Sequence, residues 1–334
     1  MKSFVFFNNK GGVGKTTLLC NIAALYSLEY NKKVLVIDAD PQCNTTTYCM
    51  SEDLVDEIFA KTKRDTIDSF FEPIKKGKGF LPSPIKPIKT KRFGFDLIPG
   101  DPRLSLSEDL LASDWKTATG GDARGLQTNF IIKDILLKYE NEYDYIFFDV
   151  GPSLGALNRA ILISCDYYIM PMSVDMFSLA AIENISTSLN KWKKYIIRSL
   201  ENHEEEEGSA FTISGHPIQW KLKFLGYAVQ QYTAKTVAGI KRPVSAYEKI
   251  NRKIPSLIFK HLVEDQNLDS QLFKLGEIQN LHSLVPLSQS ANCPIFKLKS
   301  SDGVVGAHFT MVKESKDIFT SIATKINAQV ELLK

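Results

Sequence analysis

Apolar residues recur along this chain with two different spacings. Short, nearly unbroken runs, Phe4-Val5-Phe6-Phe7, Val34-Leu35-Val36-Ile37 and Tyr145-Ile146-Phe147-Phe148, have the pattern of strands buried on both faces. The segment from Leu222 to Val229 reads as a further strand. Between these runs the spacing lengthens to a helical one. Leu18, Leu19, Ile22, Ala23 and Leu25 form one such set, and Leu126, Phe130, Ile131, Ile135 and Leu136 give Gln127 to Tyr139 an apolar face. Ser105 to Trp115 and about Leu179 to Leu200 also read as helices. In residues 313–334, Ile318, Phe319, Ile322, Ile326, Val330 and Leu333 share one side. This alternation predicts an α/β fold: a doubly wound, mostly parallel sheet with helices on both faces.

Two stretches interrupt it. Residues 51–130 read as an elaborated insertion. Its centre, Pro73 to Gly79 and Pro82 to Arg92, is rich in proline, glycine and lysine, the composition of a solvated surface loop. Residues 199–222 read as a second insertion. There Glu204-Glu205-Glu206-Glu207 is a like-charge block of the kind that marks an exposed or disordered tip. With these insertions, residues 1–334 are expected to form one domain.

The chemistry gathers where the first strand meets the first helix. Asn9-Lys10-Gly11-Gly12-Val13-Gly14-Lys15-Thr16-Thr17 has the strand, glycine loop and helix context of a phosphate-binding loop. Glycines 11, 12 and 14 open backbone conformations closed to residues with a Cβ, so successive N–H groups can converge on one anionic point. The positive end of the following helix adds to that cradle. Lys15 is the expected β- and γ-phosphate ligand, and the Thr16 hydroxyl an expected Mg²⁺ ligand. Lys10 is an additional cation at the mouth of the loop. It could wrap onto the chain's own phosphates or reach those of a second subunit.

Three carboxylates stand at strand ends, where ligands of parallel sheets bind. Asp38 and Asp40 close the second strand, and Asp149 closes the third in the position of a Walker B acid. Thr16, Asp38 and Asp149 suit a hard cation that prefers oxygen ligands.

These motifs resemble the ParA/MinD family of deviant Walker A ATPases, and the ParA side most closely. Lys10 to Thr17 matches the deviant loop. Val34 to Gln42 followed by Asn44 matches the second motif, with Cys43 where a glycine is usual. Asp149 to Leu162 resembles switch II, with Gly151 where a proline commonly precedes Pro152. Cys165 to Pro171, Asp175 to Leu179, Ile98 to Leu104 and Leu284 to Phe296 resemble further family segments.

The resemblance implies an ATP hydrolase that uses ATP and Mg²⁺ and closes into a homodimer around nucleotide. Lys10 would contact the partner subunit's nucleotide, Asp40 would orient the attacking water, and Lys15 with Lys10 would neutralise developing charge. Gly11, Gly12, Val13, Gly14, Lys15, Thr16 and Thr17 would hold the phosphates. Gln230 falls where relatives carry a polar adenine contact. The implied role is DNA partitioning or cargo positioning, with a partner protein that stimulates hydrolysis. The alternatives are a nucleotide switch acting on another protein complex without DNA, and a MinD-like membrane-positioning ATPase.

Composition narrows this modestly. An apolar fraction of 44% and a charged fraction of 24% are those of an ordinary globular protein. A net charge of +3 neither requires nor excludes nucleic acid. Lys241, Arg242, Lys249, Arg252, Lys253, Lys260 and His261 lie in an expected helical stretch broken by Pro243 and Pro255. The resemblance, whose members bind DNA non-specifically through basic residues mostly in their C-terminal part, makes non-specific DNA a candidate partner, although Glu248, Glu264 and Asp265 interleave here and no individual residue is assigned. The five cysteines make no zinc spacing and are expected to be buried thiols of a cytosolic protein, nucleoid-associated if DNA is bound. No run has the length of a membrane span, and the start shows neither a signal peptide nor room for an N-terminal helix-turn-helix domain. The 313–334 helix mixes Lys316, Lys325, Asp317 and Glu331 on its polar face, so packing on the sheet is expected over an interfacial membrane tail.

Overall fold

The computed structural model describes residues 1–232, 234–237, 240–243, 245–263, 269–281 and 283–334. The strands are β1 (Lys2–Phe6), β2 (Val34–Asp38), β3 (Ile88–Lys89), β4 (Asp96–Ile98), β5 (Tyr145–Asp149), β6 (Tyr167–Ser173), β7 (Thr212–Ile213), β8 (His216–Pro217), β9 (Lys223–Tyr232), β10 (Ala234–Val237), β11 (Ile240–Pro243) and β12 (Lys274–Gln279). Eight of them form one sheet in the order β12-β9-β6-β1-β5-β2-β4-β3, parallel throughout except for the β3–β4 pair. This is the expected doubly wound, mostly parallel sheet.

The central strands are apolar on both faces because helices cover both. Every residue of β2 is buried, and Phe4 of β1 stacks on Phe147 of β5 with ring centroids 5.0 Å apart. In register, Phe6 faces Asp149, and Asp149 faces Asp38. The sheet therefore delivers both acids to one edge beside the loop that follows β1.

The helices are α1 (Lys15–Leu28), α2 (Asn44–Cys49), α3 (Glu52–Ala60), α4 (Asp68–Lys75), α5 (Ser107–Ala118), α6 (Ala123–Asn129), α7 (Ile131–Tyr139), α8 (Ala156–Ser164), α9 (Met176–Glu207), α10 (Ser245–Asn251), α11 (Ile254–Ile258), α12 (Leu284–Ser290) and α13 (His308–Leu332). All five cysteines are buried free thiols.

Several expectations change here. The acidic block is exposed, as expected, but it is helical. α9 runs unbroken for 32 residues and carries Glu204 to Glu207 in its last turns. Its end is anchored: the His203 ring bonds the Gly121 carbonyl at 2.9 Å and Asn202 donates to the Thr119 carbonyl at 3.2 Å. Gly208 then stops it in the left-handed conformation at φ 71°.

The 51–130 segment is more than surface decoration. It supplies β3 and β4 to the sheet edge and buries Phe70, Phe71, Phe93, Phe95, Leu97 and Ile98 in the common core. The single helix expected over 127–139 divides at Phe130 into α6 and α7.

The basic stretch near 241 is not one broken helix. Pro243 ends β11 of an antiparallel hairpin, and Pro255 opens α11. The side chains of Lys241 and Arg242 lie outside the described residues. Arg252 reaches Glu248 at 3.7 Å on an exposed helix face.

α13 packs as expected. Phe319, Ile322, Ala323, Ile326 and Val330 are buried, and the Tyr26 hydroxyl donates to Asn327 Oδ1 at 2.8 Å. Its apolar face is thus spent in the core. Among the described residues no helix is long and apolar enough to cross a membrane.

Candidate nucleotide-binding site

The loop leaving β1 is fixed before it turns. The Phe7 amide donates to the Ile169 carbonyl at 2.9 Å, and Asn8 Nδ2 donates to the Pro171 carbonyl at 2.8 Å. Gly12 and Gly14 then adopt φ of 71° and 73°, the left-handed region that glycine tolerates. Gly14 is also a close-approach position. Gln230, buried at the end of β9, donates from Nε2 to the Gly14 carbonyl at 3.1 Å, and a Cβ at residue 14 would collide with its Oε1. Gln230 therefore stands against the loop itself.

No side chain among the described residues caps α1, so its first-turn amides face the loop cavity without a competing protein acceptor. A cleft of about 510 Å³ opens there. It is lined by residues 11–17, Asp40, Gln42, Asn44, Thr47, Tyr48, Pro152 and Gln289.

Lys15 points into this region although only 8% of it is exposed. Burial pushes its ammonium below the usual lysine range, while the charges of Asp149 and Asp40 pull it back up. Its nearest hydrogen-bond acceptor is the Lys10 carbonyl at 3.4 Å, a long approach. The charge is thus held beside a cleft with little to satisfy it.

Asp149 shows the complementary deficit. Its Oδ2 accepts from Thr16 Oγ1 at 2.7 Å and Thr45 Oγ1 at 2.8 Å. Its Oδ1 is buried with no hydrogen-bond partner among the described residues. Burial pushes this carboxyl up to about 6, against the two threonine hydrogen bonds and the Lys15 charge. A cation at Oδ1 would restore what burial removes, and the neighbouring Thr16 oxygen is a second hard donor. These residues fit Mg²⁺.

Asp38 stands a layer behind. It is fully buried, and its Oδ2 accepts from the Thr46 amide at 2.8 Å and the Thr46 hydroxyl at 2.6 Å. Burial first, and then the charge of Asp149, push it up to about 8. Its Oδ2 is engaged in holding the turn into α2, while Thr16 and Asp149 adjoin one another. Asp40 lines the cleft, its Oδ1 accepting from the Gln42 amide at 3.0 Å. A Cβ at Gly151 would come within 3.3 Å of that oxygen, so glycine there leaves the Asp40 carboxylate room.

Lys10 is engaged elsewhere. Its ammonium donates to Ser173 Oγ at 2.8 Å and forms an ion pair with Asp175. Burial raises the Asp175 carboxyl, but hydrogen bonds from Lys10, Ser173 and the Ser178 amide outweigh it and hold it below its usual range. Asp175 also caps α9 through that amide at 3.0 Å. Sequence reasoning missed Ser173, Asp175 and the threonines at 45–47 as members of the site. The run of three hydroxyls soon after Asp38-Ala39-Asp40 is the signal that could have found the threonines.

A protein-family profile described as "AAA domain" matches residues 1–202. The virulence plasmid ParA family protein pGP5-D of Chlamydia psittaci is 29% identical over 55% of this chain and 62% of its own length. The chromosome partitioning protein ParA of Caulobacter vibrioides is 28% identical over 55% of this chain and 60% of its own length. The chain thus spans a little under two thirds of these two relatives. The crystal structure of protein DIP2308 from Corynebacterium diphtheriae is 30% identical, with a TM-score of 0.72 over 87% of this chain and 97% of that one.

Proposed function

The chain belongs to the AAA domain family and is a ParA-like P-loop ATPase, and from that premise we propose that it is a Mg²⁺-dependent ATP hydrolase acting in DNA partitioning or cargo positioning. ATP closes two copies into a dimer, and a partner protein stimulates turnover. The observation that carries the ATPase reading is the Lys15 ammonium lining the cleft with one long hydrogen bond, and beside Thr16 a buried Asp149 oxygen with no hydrogen-bond partner among the described residues.

Residues 11–17 cradle the phosphates through backbone amides, and Lys15 neutralises their charge. Thr16 and Asp149 would hold Mg²⁺, with Asp38 fixing the α2 turn behind them. When bound, the ion supplies Lewis-acid stabilisation of phosphoryl oxygens. Asp40 orients the attacking water from the cleft wall, and Gln230 buttresses Gly14. Lys10 leaves Asp175 to reach the nucleotide of the second copy.

Asp40→Ala tests the hydrolytic role. The variant binds ATP and dimerises, but its turnover falls at least about a hundredfold, the usual scale for a missing acid–base or water-positioning group. Near-normal phosphate release in a malachite-green assay removes Asp40 from the mechanism.

The partitioning role rests on what the two ParA relatives are called. It is tested by DNA retention with ATP across a salt series. Retention that declines steadily with salt follows from phosphate neutralisation. No ATP-dependent retention at low salt favours the switch that acts on another protein complex.

A further inference from the structure

The helix that follows the switch-like segment 150–155 has no cap of its own. At its N-cap, Gly155 has no side chain to offer, and the first amides of any helix lack partners inside it. The missing acceptor arrives from 48 residues upstream. Glu108, in the first turn of α5, accepts from the Ala156 amide with one carboxylate oxygen and from the Leu157 amide, at 3.0 Å, with the other. A carboxylate is the group that the positive end of a helix favours.

The approach is close enough that a side chain at 155 would have to push the Glu108 carboxylate aside. A Cβ on Gly155 would collide with Glu108 Oε1. One turn further on, Arg159 lies 4.0 Å over the Trp115 ring of α5 and donates to the Leu111 carbonyl at 3.3 Å. α5 is therefore fastened to α8 at two successive turns.

The segment so held borders the cleft. Asn158 of α8 donates from Nδ2 to the Gly151 carbonyl at 2.9 Å and the Ser153 carbonyl at 2.7 Å. Gly151 packs beside Asp40, and Pro152 lines the cleft. The upstream end of this segment is Asp149 on β5. Its downstream end is α8, and α8 is registered by Glu108.

We propose that Glu108 is a positioning residue for ATP hydrolysis: by capping α8 from α5 it fixes the 150–155 segment against Asp40. The inference rests on the ATPase reading above. It assigns residues 51–130 a part in turnover, with α5 as the element through which a movement of 150–155 is resisted.

The test measures ATP affinity with a fluorescent analogue and turnover by phosphate release. It compares the full chain, Glu108→Ala, Glu108→Gln, Gly155→Ala, and the Glu108→Ala/Gly155→Ala double variant. Glu108→Ala lowers turnover about tenfold, the scale of one missing charge-assisted hydrogen bond expressed in a barrier, while affinity stays within about twofold. Gly155→Ala, which attacks the same interaction from its other side, gives the same split. Glu108→Gln falls between parent and alanine. The double variant is no worse than either single change, because one interaction cannot be removed twice.

Parental turnover in Glu108→Ala overturns the inference, as do single defects that multiply in the double variant. A fall in affinity matching the fall in turnover also overturns it, by showing general damage. If the unmodified chain neither binds nor hydrolyses ATP, the ATPase reading fails and takes this inference with it. The first three outcomes leave that reading intact.

Discussion

Lys15→Ala abolishes tight ATP binding, weakening it by at least about a hundredfold, which corresponds to about 2.7 kcal/mol and lies within the range for removing a charge-assisted hydrogen bond from a partly dry site. The same substitution leaves the fold intact. Lys15 is nearly buried, makes no ion pair among the described residues, and meets one carbonyl at 3.4 Å, and its burial outweighs the pull of the Asp149 and Asp40 charges, so its charge is costly to the unliganded protein. The alanine variant therefore melts no lower than the parent without nucleotide, yet gains nothing in melting temperature when ATP and Mg²⁺ are added. Titration with a fluorescent ATP analogue and paired thermal melts check both halves. Unchanged affinity refutes the assignment of the loop. A large drop in the unliganded melting temperature shows instead that Lys15 is a structural residue.

Lys10→Ala separates binding from assembly. Affinity for ATP stays within about threefold of the parent, because the phosphate cradle and Lys15 are untouched and an exposed or half-buried cation contributes little by itself. Light scattering in a slowly hydrolysed ATP analogue then reports a monomer where the parent forms a dimer, and steady-state turnover falls with it. The unliganded structure shows what must first happen in the parent: the lysine has to leave Asp175 and Ser173. Asp175→Asn, which weakens that hold, lowers the nucleotide concentration needed for dimerisation. A normally active dimer of Lys10→Ala contradicts the cross-subunit role.

What the sequence disclosed and what it hid divide by distance along the chain. The loop at 9–17, the acids at strand ends and the parallel sheet were legible because each is a local pattern. Glycines precede a lysine, apolar runs alternate with helical faces, and a carboxylate closes the second and third of those runs. The engagement of Asp38 was hidden because it depends on the direction of the Thr46 hydroxyl. The resting place of Lys10 depends on Asp175, 165 residues away. The glutamates at the end of α9 are exposed, but that the helix runs through them was hidden because nothing nearby in sequence holds it. Its anchors are carbonyls of Thr119 and Gly121, on the turn between α5 and α6. The break at Phe130 was masked by an apolar pattern that continues in phase across it.

α9 joins two places that a compact fold usually keeps separate. Its first residues are capped by the acid that pairs with Lys10, and its last turns carry the glutamates and grip the 119–121 corner. At 32 residues it is about 48 Å long, so a tilt of about 5° at the capped end would swing the far end by about 4 Å. In the proposed cycle, letting go of one ammonium at the capped end would therefore load the 119–121 corner that holds the other, beside a strongly negative part of the surface.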